Sequence, residues 1–141
     1  MLTTWLYISV SALPADAQAA AIDAIVDVSR SRNAGLDVTG ALIFSGSRFA
    51  QLIEGPADSV ATLRAAIKRD VRHRNVTTIE AGTSGARLFA GWSLAYSGHS
   101  TFVDRELLRI GEQHVQDAAA ASRNLKLVLT EFSRSGGVNG L

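Results

Sequence analysis

Three polar side chains stand out on elements that should converge: Tyr7 on a first strand, Asn33 at the end of a first helix and Gln51 on a third strand. Gln51 is the sharpest case. It lies in Arg48-Phe49-Ala50-Gln51-Leu52-Ile53-Glu54-Gly55, a stretch that reads as a strand, and alternation puts it on one face with Phe49 and Ile53. Burying an unpaired amide costs ~1–3 kcal/mol, so Gln51 needs water, a sheet-edge backbone partner, or a bound polar heterocycle. Tyr, Asn and Gln together form a hydrogen-bonding set and not an acid–base set at neutral pH. Held between two helices whose inward residues include Ile25 and Ile67, they suit the polar edge of a flat ring in an apolar slot.

Other chemistries find little support. His73, His99 and His114 are dispersed, with no His-x-x-x-His pair and no cysteine, so no metal site is expected. There is no Gly-x-Ser-x-Gly elbow, no P-loop and no Gly-x-Gly-x-x-Gly turn. The chain has 141 residues, 47% of them hydrophobic, enough for one domain with a real core and a short appendage. Its 14 basic and 13 acidic residues leave a net charge of +1 without like-charge blocks, which argues against nucleic acid as a partner. The lack of cysteine fits a reducing compartment, with the cytoplasm as default. No apolar run approaches the ~18 residues of a membrane span, and the N-terminus lacks a signal-peptide pattern.

The elements that must position the polar set follow from periodicity. Residues 3–10 are rich in aromatic and β-branched types and form a first strand, with Trp5, Tyr7 and Ser9 on one face and Leu6, Ile8 and Val10 on the other. Ile22, Ile25, Val26 and Val28 mark an amphipathic helix over about 15–31, closed by Asn33-Ala34-Gly35. A second strand at about 37–44 makes a hairpin with the Gln51 strand through Ser45-Gly46-Ser47. Pro56 opens a second helix whose buried stripe is Val60, Leu63 and Ile67, ending at Asp70. Strands are expected at 75–81 and 91–97.

The order strand, helix, strand, strand, helix, strand, strand predicts an α+β, ferredoxin-like sandwich (βαββαββ) with both helices on one sheet face. The other face is assigned Leu6, Ile8, Val10, Leu42, Phe44 and Leu52, and it needs a cover. Apolar residues from Val103 to Phe132 predict one short and one longer helix that pack there or join a second subunit. The expected organisation is a domain over 1–98, a helical extension over 99–135 and a disordered tail over 136–141.

Six segments carry a resemblance: Leu6-Tyr7-Ile8-Ser9-x-Ser11-Ala12, Ser29-Arg30-x-Arg32-Asn33, Val38-Thr39-Gly40-Ala41-Leu42, Phe49-x-Gln51-x-x-Glu54-Gly55, Asp70-x-Arg72-His73 and Phe89-x-x-Trp92-Ser93-Leu94. In this order and at compatible spacing the chain resembles the BLUF family, blue-light sensors that hold FAD. The resemblance implies that Tyr7 gives an electron and a proton to the photoexcited flavin and that Gln51, between them, rearranges its hydrogen bonds. It implies that Asn33 binds the pyrimidine edge, that Ile25 and Ile67 flank the ring, and that Ser29 belongs to the cofactor site. Asp70, Arg72 and His73 would lie toward the ribityl and phosphate side; a helix-terminal charge cluster is the alternative for these three. Trp92 and Leu94 would relay the signal. Output without turnover would then pass to a protein partner or to self-association.

Departures from the family pattern are Leu94 where Met is common, Arg32 where Asn or His is common, and Ala66 where a polar or basic residue is common. The loop from Val10 to Ala15 is about two residues longer than in some members. These differences predict altered spectral tuning or dark recovery, with binding kept. The competing reading is a ferredoxin-like interaction domain that has lost flavin photochemistry; a flavin oxidoreductase is disfavoured for want of a nicotinamide or substrate site.

Overall fold

A computed structural model describes residues 1–90, 92–97 and 100–139, without the side chains of 92–97 and 133–139. Its elements are β1 (Leu2–Ser11), a 3-10 turn (Ala15–Ala17), α1 (Gln18–Gly35), β2 (Thr39–Phe44), β3 (Arg48–Gly55), α2 (Ala57–Arg69), β4 (His73–Ser84), β5 (Trp92–Ser97), α3 (Thr101–Gln116) and α4 (Ala118–Asn139). The sheet order is β4-β1-β3-β2-β5. β3 runs antiparallel between β1 and β2, β4 is antiparallel to β1, and β5 is parallel to β2. This is the split β-α-β arrangement that the element order predicts, with an α+β ferredoxin-like fold and two further helices on the sheet.

β1 and β3 are buried on both faces along most of their length, which is why they read as near-continuous apolar runs. The site face carries two clusters. Trp5, Tyr7, Val38 and Ile53 pack with Val60, Leu63 and Ile67 of α2, and Leu42, Phe44 and Phe49 pack with Ile22 and Val26 of α1. The reverse face has one continuous core. There Leu6, Ile8, Ala41, Ile43, Ala50 and Leu52 meet Val103, Leu107 and Ile110 of α3 and Ala121, Leu125 and Leu129 of α4. Each fully buried Leu or Ile contributes ~1.5–3 kcal/mol by leaving water, so this dry layer fixes the sheet against the C-terminal helices.

Several expectations need correction. Leu42 and Phe44 face α1 and not the reverse side, because Leu42 pairs with Gln51 and Phe44 with Phe49, and directly paired residues share a face. Ala41 and Ile43 take the places assigned to them. α1 runs through Asn33 and Ala34 to Gly35, and the left-handed residue after it is Asp37 (φ 57°). β4 starts at His73, two residues earlier than expected, with Asn75 (φ 52°) at a shift of register opposite Ser9. The expected shorter and longer C-terminal helices are α3, with 16 residues passing through Gly111, and α4, with 22. α4 ends at Asn139, and residues 140–141 of the expected tail lie outside the described residues. Gly40 has a steric reason: a Cβ there would lie 1.9 Å from the Leu52 carbonyl oxygen.

Candidate functional site

The register places the chemistry. Tyr7 on β1 and Gln51 on β3 are direct partners across the ladder, so both side chains leave the sheet on the face covered by α1 and α2. Tyr7 is fully buried and Gln51 is 5% exposed. The phenolic hydroxyl donates to Gln51 Oε1 at 2.6 Å. That bond answers half of the question raised by a buried amide: its oxygen has a partner, and its NH2 group is left for whatever enters the cleft.

The cleft has a volume of about 140 Å³ and opens between the two helices. Its floor is Tyr7, Leu42, Phe49 and Gln51; α1 contributes Ala24, Ile25, Val28, Ser29 and Arg32; α2 contributes Ala66 and Ile67; and Asp70, Arg72 and His73 close the end beyond α2. Eight of the nine cofactor and photochemical residues singled out from the sequence therefore meet here. Asn33 is the ninth and does not line the cleft. It is 1% exposed, one helical turn beyond Ser29, and both Nδ2 and Oδ1 are buried without a hydrogen-bond partner. A buried amide with donor and acceptor both unmet is costly, and a flavin's pyrimidine edge, which presents a donor beside acceptors, would satisfy both at once. The donor set fits the group.

Burial raises the Tyr7 phenol well above its ordinary value, Asp70 adds to the rise, and Arg32 opposes it. The phenol is thus neutral at any physiological pH. Asp70 is held below the usual carboxylate range chiefly by the side-chain hydrogen bonds of Arg72, whose Nε and Nη2 reach its oxygens at 2.6–3.1 Å. His73 is pushed below its ordinary value by burial, against the pull of Asp70. Its Nδ1 lies 2.7 Å from the Ser9 hydroxyl, and its ring packs on Phe49 at 4.5 Å. So the Asp70-x-Arg72-His73 segment is both a helix-terminal ion pair and a wall of the cleft.

Sequence reasoning missed two groups. Trp5 stacks on Tyr7 with ring centroids 4.4 Å apart, held by its N–H to Thr78 and by Arg64, whose guanidinium lies 5.2 Å from the ring centroid. The alternation that grouped Trp5, Tyr7 and Ser9 was the available signal for both this stack and the Ser9–His73 contact. Glu54, quoted only as part of a motif, is 1% exposed and receives the backbone N–H groups of Leu88 and Phe89 and the Thr39 hydroxyl. Trp92 and Leu94 pair through their backbones with Gly40 and Leu42, but their side chains lie outside the described residues. Among the described residues, none form a group suited to a metal ion, and no helix is long and apolar enough to cross a membrane.

Known proteins share this arrangement. An antirepressor of Escherichia coli (strain K12) regulated by blue light and temperature, BluF, is 39% identical over 89 residues, which are 63% of this chain and 22% of that protein. The chain thus spans about a fifth of the length of that relative. The dark-state structure of BlrB, a BLUF protein, superposes with a TM-score of 0.66 at 27% identity, covering 92% of this chain and 96% of the other. BlrP1 of Klebsiella pneumoniae, solved with FMN and cyclic diGMP, gives 0.61 at 32% identity over 77% of this chain and 30% of its own. Residues 2–95 match the family described as sensors of blue-light using FAD. On that match, and on a cleft whose polar groups suit a flavin, the chain belongs to the BLUF family.

Proposed function

We propose that the protein is a blue-light photoreceptor that binds FAD non-covalently and signals without catalytic turnover. The observation that carries this reading is the buried 2.6 Å hydrogen bond from Tyr7 to Gln51 on the floor of a cleft that Asn33 adjoins with an unmet amide. Bound flavin supplies the absorption of blue light and the acceptor for an electron. Tyr7 supplies that electron. A neutral phenol sealed from water parts with an electron readily only if its proton leaves too, and the acceptor in contact with it is Gln51 Oε1. With flavin bound, Gln51 would take that proton at Oε1 and release one from its NH2 group toward the electron-accepting ring, turning or tautomerising as it does so, and return of proton and electron to Tyr7 would leave the amide in a changed hydrogen-bonding arrangement. With flavin bound, Ser29, Ile25 and Ile67 would hold the ring, Asn33 would meet its pyrimidine edge, and Asp70, Arg72 and His73 would lie toward the ribityl chain and phosphates.

FAD is preferred over FMN on the family description, and extraction of the bound flavin for mass measurement decides between them. We read 1–98 as the sensor, 99–135 as the output extension, Trp92 and Leu94 as relay residues, and a downstream protein or a second copy as the partner. A cytoplasmic location suits a cysteine-free chain. The test is Gln51→Leu: the variant should bind flavin and lose the light-induced red shift. An unchanged photocycle would overturn the assignment of Gln51.

A further inference from the structure

β5 has one neighbour in the sheet, β2, yet the chain on both sides of it is fastened to β3. Before β5, the amides of Leu88 and Phe89 donate to the two oxygens of Glu54 at 2.8 and 2.7 Å. Arg87 adds bonds to the Glu54 backbone carbonyl and to the Thr39 hydroxyl. After β5, the Ser100 amide donates to the Ser45 carbonyl at 3.2 Å, and the Ser45 hydroxyl donates to Asp104 Oδ1 at 2.8 Å. Arg48 Nη1 donates to Asp104 Oδ2 at 2.7 Å. Arg48 is the first residue of β3 and Glu54 the last but one, each three residues from Gln51.

The two attachments differ in kind. Glu54 is buried and takes three donors, so releasing it would strand its carboxylate and the Phe89 amide in the interior. The Arg48 and Asp104 side chains are 22% and 26% exposed, so water can replace either of these two at small cost, while Ser45, 3% exposed, still accepts from the Arg48 amide when Asp104 leaves. One end is a pivot and the other a catch.

We propose that Arg48, Asp104 and Ser45 form a catch that couples β3 to the start of α3, so that rearrangement at Gln51 leaves the sensor by freeing the first turn of α3 while Glu54 keeps the chain before β5 in place. This rests on the reading of Gln51 as the light switch and names the route out of it. Asp104 and Arg48 are positioning residues here: neither lines the cleft. Ser100 caps α3 through the Val103 amide and also bonds Ser45, so loosening the catch loosens the helix start with it.

The experiment is amide hydrogen exchange on the flavin-loaded chain, in darkness and under continuous blue light, for the native protein and Asp104→Asn, with the absorption shift recorded on the same samples. The native protein should exchange faster in light at 101–104, with the Leu88 and Phe89 amides protected in both conditions. Asp104→Asn should keep the red shift, exchange roughly fivefold faster in the dark at 101–104, and lose the light-minus-dark difference there. A merely structural bond would raise exchange equally in both states and leave that difference intact, which would overturn the proposal. So would a native protein that shifts its spectrum without any change at 101–104. Absence of the spectral shift in the native protein would instead overturn the reading of Gln51, and the catch with it. Should Asp104→Asn fail to bind flavin, Arg48→Gln breaks the same contact, and loss of binding in both variants would contradict a catch separate from the flavin site.

Discussion

The two faces of one sheet are built to opposite ends. The reverse face is a single apolar layer closed by α3 and α4, whereas the site face is split into two clusters with a cleft between them and a buried amide unmet beside it. Both faces draw on the same strands: in β1, Leu6 and Ile8 go to the dry core while Tyr7 goes to the cleft, and in β3, Ala50 and Leu52 flank Gln51 in the same way. A strand's alternation lets one segment be scaffold and cleft floor at once. The dry face bears the cost of the imperfect one, since an open cleft and unpaired polar groups are tolerated only where the rest of the sheet is firmly held.

The contrast is broken most sharply at Tyr7. Tyr7→Phe removes a hydroxyl and little volume, so flavin binding should persist and the light-induced red shift should vanish altogether, read by absorption before and after illumination. Leu125→Ala, on the other face, should do the reverse, lowering stability by ~2–5 kcal/mol in denaturant unfolding while any intact flavin-bound fraction retains its shift.

Asn33→Ala separates binding from folding. It removes two unmet polar atoms, so unfolding of the flavin-free protein should shift by less than ~1 kcal/mol or toward greater stability, while affinity for flavin, measured by fluorescence titration, falls. A large loss of stability without flavin would show Asn33 to be scaffold.

The smallest effect concerns acidity. His73 is lowered from 6.5, so the unfolded chain binds its proton first; the stability due to neutral His73 is complete above 6.5 and is lost as pH falls through the lower folded value. Asp70 is lowered from 3.8, so its contribution is complete above that value and lost at still lower pH. His73→Gln should flatten the upper part of this decline in stability-versus-pH curves and leave the lower part alone.

Much of the site was legible because it rests on parity. The faces of Tyr7 and Gln51 within their own strands follow from alternation and Ile25 and Ile67 from helical spacing, while Ser29 came only with the family resemblance and the Tyr7–Gln51 pairing only with the register. Leu42 and Phe44 were placed on the wrong side because parity does not carry across a hairpin until the pairing of Phe44 with Phe49 is known. The helix through Gly111 shows burial of Leu107 and Ile110 overriding local propensity. The Arg48–Asp104 bond joins residues 56 apart, and neither position has a local pattern that names the other.

The central claim is that Tyr7 and Gln51 make a light switch around bound flavin. Its most direct test is the visible spectrum of the purified, flavin-loaded protein in the dark and immediately after blue light. The account predicts an oxidised flavin spectrum that moves slightly to the red and relaxes in darkness. Bound flavin whose spectrum does not move would contradict it.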